Sequence, residues 1–162
     1  VEPLWRAAYA AIGSNLNNPR EQVLEAFNRL SRVRAVHSVL TSRLYRSAPM
    51  GPQDQPEFIN AVAGFVTCLN PREMLDALLE IERSMGRNRG ERWGPRIIDL
   101  DLIWMVGSFT EQPGLSLPHP GVSSRNFVLY PLADIAPLLK IPGHGVVLEL
   151  KEAAGDLGIS VL

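Results

Sequence analysis

The tetrapeptide Asn-Pro-Arg-Glu occurs twice, at Asn18 to Glu21 and at Asn70 to Glu73, each time behind a short apolar run. Both copies read as helix starts: the asparagine caps, the proline suits the first helical position and the glutamate sits third. Behind the first copy, Val23, Phe27 and Leu30 recur at i, i+4 and i+7, which makes one apolar face. Behind the second, Met74, Leu78 and Met85, with Leu75 and Leu79, do the same, and Gly86 is a natural stop. The run before the first helix, Ala7 to Gly13, predicts a strand that ends in the turn Gly13-Ser14-Asn15. A second strand is expected from about Val36 to Tyr45, a third from Phe58 to Leu69 and a fourth from Ile97 to about Met105. The order is β-α-β-β-α-β. That predicts an α+β fold of the ferredoxin-like kind, an antiparallel sheet with both helices packed on one face. Beyond it come a helix near Ser124 to Ile135 and a Gly-rich tail for which no structure is read. At 162 residues the expectation is one domain, 1–162.

Composition narrows the classes. A formal net charge of −1 argues against a dedicated nucleic-acid binder. Cys68 is the single cysteine, so no internal disulfide can form and a reducing compartment is expected. The sequence has no run of 18 apolar residues and no basic-then-apolar leader. The expectation is a cytoplasmic protein without a membrane span, with an initiator methionine, if not more, ahead of Val1. Only Lys140 and Lys151 of the 16 basic residues are lysine, so 14 are arginine. Arg83, Arg87, Arg89, Arg92 and Arg96 crowd into one short segment, broken by Glu91 alone among acids.

That segment runs into "RWGPRIIDLD", Arg92 to Asp101. On a strand, Ile98, Leu100 and Leu102 point to one face and Asp99 and Asp101 to the other, with Cα atoms roughly 6.5–7 Å apart. Two carboxylates so placed either form a solvated strand face or share a cation. Aspartate is depleted in strands, and two on one face repel unless a cation sits there. No His or Cys cluster accompanies them, which disfavours zinc. Oxygen ligands of this kind favour magnesium, completed by water and phosphate oxygens. Guanidinium groups bind phosphate bidentately, so carboxylates beside arginines suggest magnesium with a polyphosphate. The sequence has neither a Walker motif nor a kinase-type Gly-rich loop. His119, held between Pro118 and Pro120 with Ser116 and Arg125 near in sequence, is a candidate for the same phosphate site. Trp93 is either an aromatic cover for a flat ligand or a surface anchor. The long connection Arg46 to Glu57, with three prolines, is of the kind that carries function. "GSN" at Gly13 to Asn15 needs no function as a plain turn.

Five stretches together, "AIGSNL", "GPQDQPEFINAV", "RWGPRIIDLDLI", "LPHP" and "RNFVLYPL", resemble the 6-hydroxymethyl-7,8-dihydropterin pyrophosphokinase (HPPK) family of folate biosynthesis, in unbroken order from about Tyr9 to Pro137. The resemblance implies transfer of diphosphate from ATP to the pterin hydroxymethyl group, with release of AMP. It implies two magnesium ions on Asp99 and Asp101, and phosphate contacts from Arg87, Arg92, Arg96, His119 and Arg125, with Arg89 a weaker member. It also places Glu82, Trp93, Leu102 and Ser116 on the nucleotide side. The pterin would lie between Phe127 and Trp93, hydrogen-bonded by Asn60, with Ser47, Ala48, Met50 and Phe58 lining its pocket and Asp99 at its edge. The Arg46 to Glu57 connection and the arginine loop would close as lids that exclude water. Nucleotide would bind before pterin, to a monomer acting on small molecules only. This chain departs from a familiar member of the family at Ala48 (proline there), Phe58 (tyrosine), Leu79 (glutamine, near the adenine) and Pro120 (tyrosine). Its arginine loop is one residue shorter between Arg89 and Arg92. Two other readings stand beside this one: a magnesium-dependent phosphohydrolase using the same aspartates, and a ferredoxin-like module binding a single nucleic-acid strand through the arginines and Trp93.

Overall fold

The computed structural model describes residues 2–86 and 95–162. The elements run β1 (Arg6–Ser14), α1 (Pro19–Ser31), β2 (Val36–Thr41), β3 (Tyr45–Ser47), β4 (Phe58–Thr67), α2 (Pro71–Ser84) and β5 (Asp99–Met105). There follow β6 (Thr110–Gln112), β7 (Leu115–Leu117), α3 (Asn126–Ile135), β8 (Lys140–Ile141), β9 (Gly145–Val146), α4 (Val147–Ala154) and β10 (Ile159–Val161). The main sheet is antiparallel in the order β10-β3-β4-β1-β5, with β2 also paired to β4. This is the expected ferredoxin-like core, with β5 at one edge.

The pairing register divides the sheet into two faces. Ala10 lies opposite Ala63 and Leu102, and Ile12 opposite Ala61 and Leu100. These side chains are buried with Ala8 and Phe65 under α1 and α2, to which α1 contributes Val23, Ala26, Phe27 and Leu30, and α2 Met74, Leu78 and Ile81. The other face carries Tyr9 opposite Gly64, Ala11 opposite Val62 and Asp101, and Gly13 opposite Asn60 and Asp99. α3 covers part of it. A Cβ on Gly64 would stand 3.1 Å from Ile135 Cδ1 and 3.2 Å from the Tyr9 ring, so glycine is what lets helix and ring approach the strand. Because both faces of β4 are covered, it is buried almost throughout and loses the polar alternation of a half-exposed strand.

The expected single strand from Val36 to Tyr45 is two. From Thr41, opposite Ala63, to Tyr45, opposite Asn60, the chain advances four residues against three on β4. The additional residue reverses which side chains face which way, and turns Tyr45 and Ser47 toward the face of Asn60. Ser42 fills the break: its N–H donates to Val62 O at 2.9 Å, and its Oγ accepts from Val62 N at 2.8 Å. The two helix starts also differ. Asn70 forms a full capping box, accepting from Glu73 N while Glu73 accepts from Asn70 N. Asn18 stands at the cap position of α1 in the left-handed region (φ 62°), after Asn17 at φ 53°, and its side chain makes no cap hydrogen bond. Two successive left-handed residues carry the chain from the Ser14-Asn15 turn into α1.

The tail has structure that the sequence did not disclose. β10 pairs with β3, Ala48 N donates to Gly158 O at 3.2 Å, and Asn126 Nδ2 donates to Gly155 O and Leu157 O. The C-terminal segment thus braces both β3 and the start of α3. At the far end of the helix, Asp134 accepts from Arg43 and from Tyr45 Oη, tying α3 to β3. Burial, then the Asp134 carboxylate, push the Tyr45 hydroxyl up to about 12, so it stays protonated and donates.

Candidate active site

The uncovered end of the Tyr9–Gly13 face, beyond the N-terminus of α3, is a pocket of about 650 Å³ open to solvent. Its floor is strand: Ala11 and Gly13 of β1, Phe58 and Asn60 of β4, Asp99 and Asp101 of β5, and Ser47 of β3. Its walls are Ala48 and Met50 from the long connection, Arg96, and Arg125, Phe127 and Val128 at the start of α3. Asn60 is 6% exposed and donates through Nδ2 to Ser47 Oγ, which leaves its carbonyl oxygen toward Gly13. A Cβ at Gly13 would sit 2.9 Å from that oxygen, so the glycine makes room for the amide. The arrangement is an apolar slot with one fixed polar edge, suited to a flat ring with hydrogen-bonding groups on its rim.

Asp99 and Asp101 fall on the predicted face, half-buried, while Ile98, Leu100 and Leu102 are buried on the other. Arg96 Nη1 meets Asp99 Oδ2 at 3.1 Å. Asp101 also lines a second pocket of about 570 Å³, which wraps round the sheet edge between α2 and the β6–β7 hairpin with Leu75, Leu102, Gly114, Leu115, Ser116, His119 and Pro120. Asp101 therefore stands where the two pockets meet. Among the described residues no group of three or more His, Cys, Asp or Glu forms a metal cage. A pair of carboxylates with no third such ligand grouped with it among the described residues fits magnesium, which keeps water and phosphate oxygens in its shell, and does not fit a structural zinc.

His119 is anchored from behind. Its N–H donates to Ile103 O at 2.8 Å, at the point where the β1–β5 register shifts and Ile103 falls between paired residues. Its Nδ1 accepts from Gly121 N at 3.0 Å. In the neutral ring the proton is then on Nε2, available to donate. Burial, then the charge of Arg125, lower its pKa to about 4, against a smaller opposing pull from Asp99. At neutral pH His119 is an uncharged donor and not a cation. Arg125 lies over Gly121, whose missing side chain admits its guanidinium. Ser116 Oγ contacts Glu111 Oε2 at 3.3 Å across the hairpin.

The structure thus gathers Ser47, Ala48, Met50, Phe58, Asn60, Arg96, Asp99, Asp101, Arg125 and Phe127 round one pocket, and Leu102, Ser116 and His119 round its neighbour. Glu82 lines neither. It is 3% exposed, and its Oε2 accepts from Leu100 N at 2.7 Å, which fixes the edge of β5 between the two aspartates. Leu75, not Leu79, is the α2 residue on the second wall. Arg87, Arg89, Arg92 and Trp93 lie outside the described residues. Sequence reasoning missed Gly13 and Gly121, because a glycine that makes room for a distant side chain looks like any other turn glycine.

The sheet carries an aspartate pair and adjoining arginines, groups of the class suited to phosphoryl transfer, beside a slot suited to a planar ring. Comparison with known proteins gives this class its particular member. A model of the 7,8-dihydro-6-hydroxymethylpterin-pyrophosphokinase (HPPK) family matches residues 9–137. The 2-amino-4-hydroxy-6-hydroxymethyldihydropteridine pyrophosphokinase of Pseudomonas aeruginosa is 46% identical over 154 residues, 95% of each chain. That of Haemophilus influenzae is 42% identical over 149 residues, covering 92% of this chain and 93% of its own. The fold is also similar to wild-type Plasmodium falciparum HPPK-DHPS solved with pteroate, at a TM-score of 0.73 and 16% identity, over 94% of this chain and 43% of that longer one. The chain belongs to the HPPK family. It is a transferase that moves diphosphate from ATP to the hydroxymethyl group of 6-hydroxymethyl-7,8-dihydropterin, giving AMP and the pterin diphosphate in folate biosynthesis.

Proposed function

We propose that the 650 Å³ pocket takes the pterin and the neighbouring one the nucleotide, with the transferred diphosphate passing at Asp99 and Asp101 where they meet. The observation that carries this reading is the position of Asp101 on the wall of both pockets. Asn60 and Ser47 hold the polar rim of the pterin, and Phe127 stacks on its ring, with Phe58, Ala48 and Met50 lining the pocket. Asp99 and Asp101 would hold magnesium, two ions in this reading, which would supply charge neutralisation to the phosphates. Arg96 and Arg125 bind phosphate oxygens at the pocket, and His119 donates an Nε2–H hydrogen bond to another. By the family resemblance, Arg87, Arg89 and Arg92 would add to that grip and Trp93 would cover the pterin. Leu102 and Ser116 contact the nucleotide; Glu82 acts on it through the backbone of β5. The protein chiefly positions the two reactants and excludes water, which would compete for the same phosphorus.

In this reading residues 1–162 are one catalytic domain, working as a cytoplasmic monomer on small molecules, with neither nucleic acid nor membrane as partner. The near-neutral charge supports this, and no helix among the described residues is long and apolar enough to cross a membrane. The test is product analysis after incubation with ATP, magnesium and the hydroxymethyl-dihydropterin, for the parent and for Asp101→Asn. AMP with pterin diphosphate from the parent, and a loss of roughly 10²–10³-fold in Asp101→Asn, are expected. ADP or free phosphate as the main product would contradict the reading.

A further inference from the structure

Asn15 lines neither pocket, yet it is 2% exposed and both ends of its amide are hydrogen-bonded. Nδ2 donates to Gln55 Oε1 and to Pro56 O, both at 3.0 Å. Oδ1 accepts from Arg96 N at 2.9 Å, and the Asn15 N–H donates to Arg96 O at 3.1 Å. Pro56 O can only accept and Arg96 N can only donate, so the orientation of the amide is determined by its partners. One planar group thus joins two segments that lie 41 and 81 residues away in the chain.

Both segments reach the site. Gln55 and Pro56 close the connection that carries Ala48 and Met50 and leads into Phe58. Arg96 ion-pairs with Asp99. A displacement of the Arg96 backbone therefore moves the acceptor and the donors of Asn15 together, because the amide is rigid and cannot satisfy one side alone. Leaving either side unpaired in a buried place is costly. We propose that Asn15 is a positioning residue that couples the two halves of the site, so that filling the phosphate side sets the wall of the ring pocket. This rests on the assignment of those halves to pterin and nucleotide.

A residue that merely stabilises the fold would lower the melting temperature without changing how one ligand affects the other. The experiment is calorimetric titration of the pterin with and without magnesium and a non-hydrolysable ATP analogue. It is run on the parent, Asn15→Ala, Asn15→Asp and Gln55→Ala, each checked for folding by circular dichroism. The parent should bind pterin more tightly with the analogue present, by a factor of about 5–150. In Asn15→Ala that factor should fall to within about twofold of one, while affinity for the analogue alone changes by less than about threefold. Asn15→Asp keeps an acceptor for Arg96 N but sets a carboxylate against the Pro56 carbonyl, so it should lose the coupling too. Gln55→Ala leaves the Pro56 bond and should give an intermediate factor. Should Asn15→Ala fail to fold, the other two variants decide. An unchanged factor in Asn15→Asp and Gln55→Ala would overturn the inference, as would equal pterin affinity in both conditions for the parent. A parent that bound no pterin in either condition would instead overturn the assignment of the pocket.

Discussion

The two faces of the central sheet are made from the same strands and do different work. Along β5, Leu100 and Leu102 enter the core under the helices, while Asp99 and Asp101 face the site. Along β1, Ile12 is buried and its neighbour Gly13 clears space for Asn60. The face under α1 and α2 is apolar and closed. The other holds two half-buried carboxylates, a buried amide and a buried hydroxyl at the base of an open pocket, with two arginines on its walls. A period of two lets adjacent residues serve stability and chemistry separately, so the two can be broken separately.

The largest effect on stability should come from the closed face. Leu100→Ala removes a side chain that is 1% exposed and should cost about 2–5 kcal/mol in denaturant unfolding. A loss well under this would mean that the faces are less distinct than their burial suggests. On the open face, Asn60→Ala should weaken pterin by about 1–3 kcal/mol, the cost of an unpaired polar rim, with nucleotide affinity unchanged in calorimetry. Equal weakening of both ligands would erase the division between the two pockets.

Acid should act on the open side first. The His119 pKa is lowered to about 4 from an ordinary 6.5, so between those values the unfolded chain binds more protons than the folded one. The stability that His119 contributes is fully present above pH 6.5 and is lost as pH falls toward 4. His119→Gln should flatten the fall in unfolding free energy across that window, measured at pH 7 and pH 4.5; a slope like that of the parent would contradict the assignment. Smallest of all is the contrast between the two helix starts. Asn70→Ala breaks a capping box and should cost about 1 kcal/mol, whereas Asn18→Ala, which removes no cap bond, should cost a few tenths at most. Equal costs in thermal unfolding would show that the Asn18 geometry differs in solution.

Much of this was legible before any coordinates. The helix starts at Pro19 and Pro71 and the alternation around Asp99 and Asp101 depend on local preference and a fixed strand period and survived folding, although only Asn70, not Asn18, caps its helix as expected. What was not legible depended on contacts between distant segments. The residue added between Thr41 and Tyr45, which turns Ser47 toward Asn60, leaves no mark on composition because Ser, Arg and Leu fit a strand or a break equally well. Asn15 read as part of a plain turn, since its partners lie at Gln55, Pro56 and Arg96. The short β10 strand was hidden by its length, being held by pairing to β3 and by Asn126 at the start of α3. Glu82, placed on the nucleotide side by resemblance, accepts from Leu100 N at the edge of β5, a contact that its sequence neighbours do not announce.

The most direct test of the two-faced sheet compares neighbours on one strand. Turnover should be measured for Asp101→Asn and Leu100→Ala at a temperature where both are folded by circular dichroism. The account predicts that Asp101→Asn loses roughly 10²–10³-fold in rate with little change in unfolding free energy, while Leu100→Ala keeps its rate within about tenfold despite its lost stability. A folded Leu100→Ala as inactive as Asp101→Asn, or an Asp101→Asn that turns over like the parent, would contradict it.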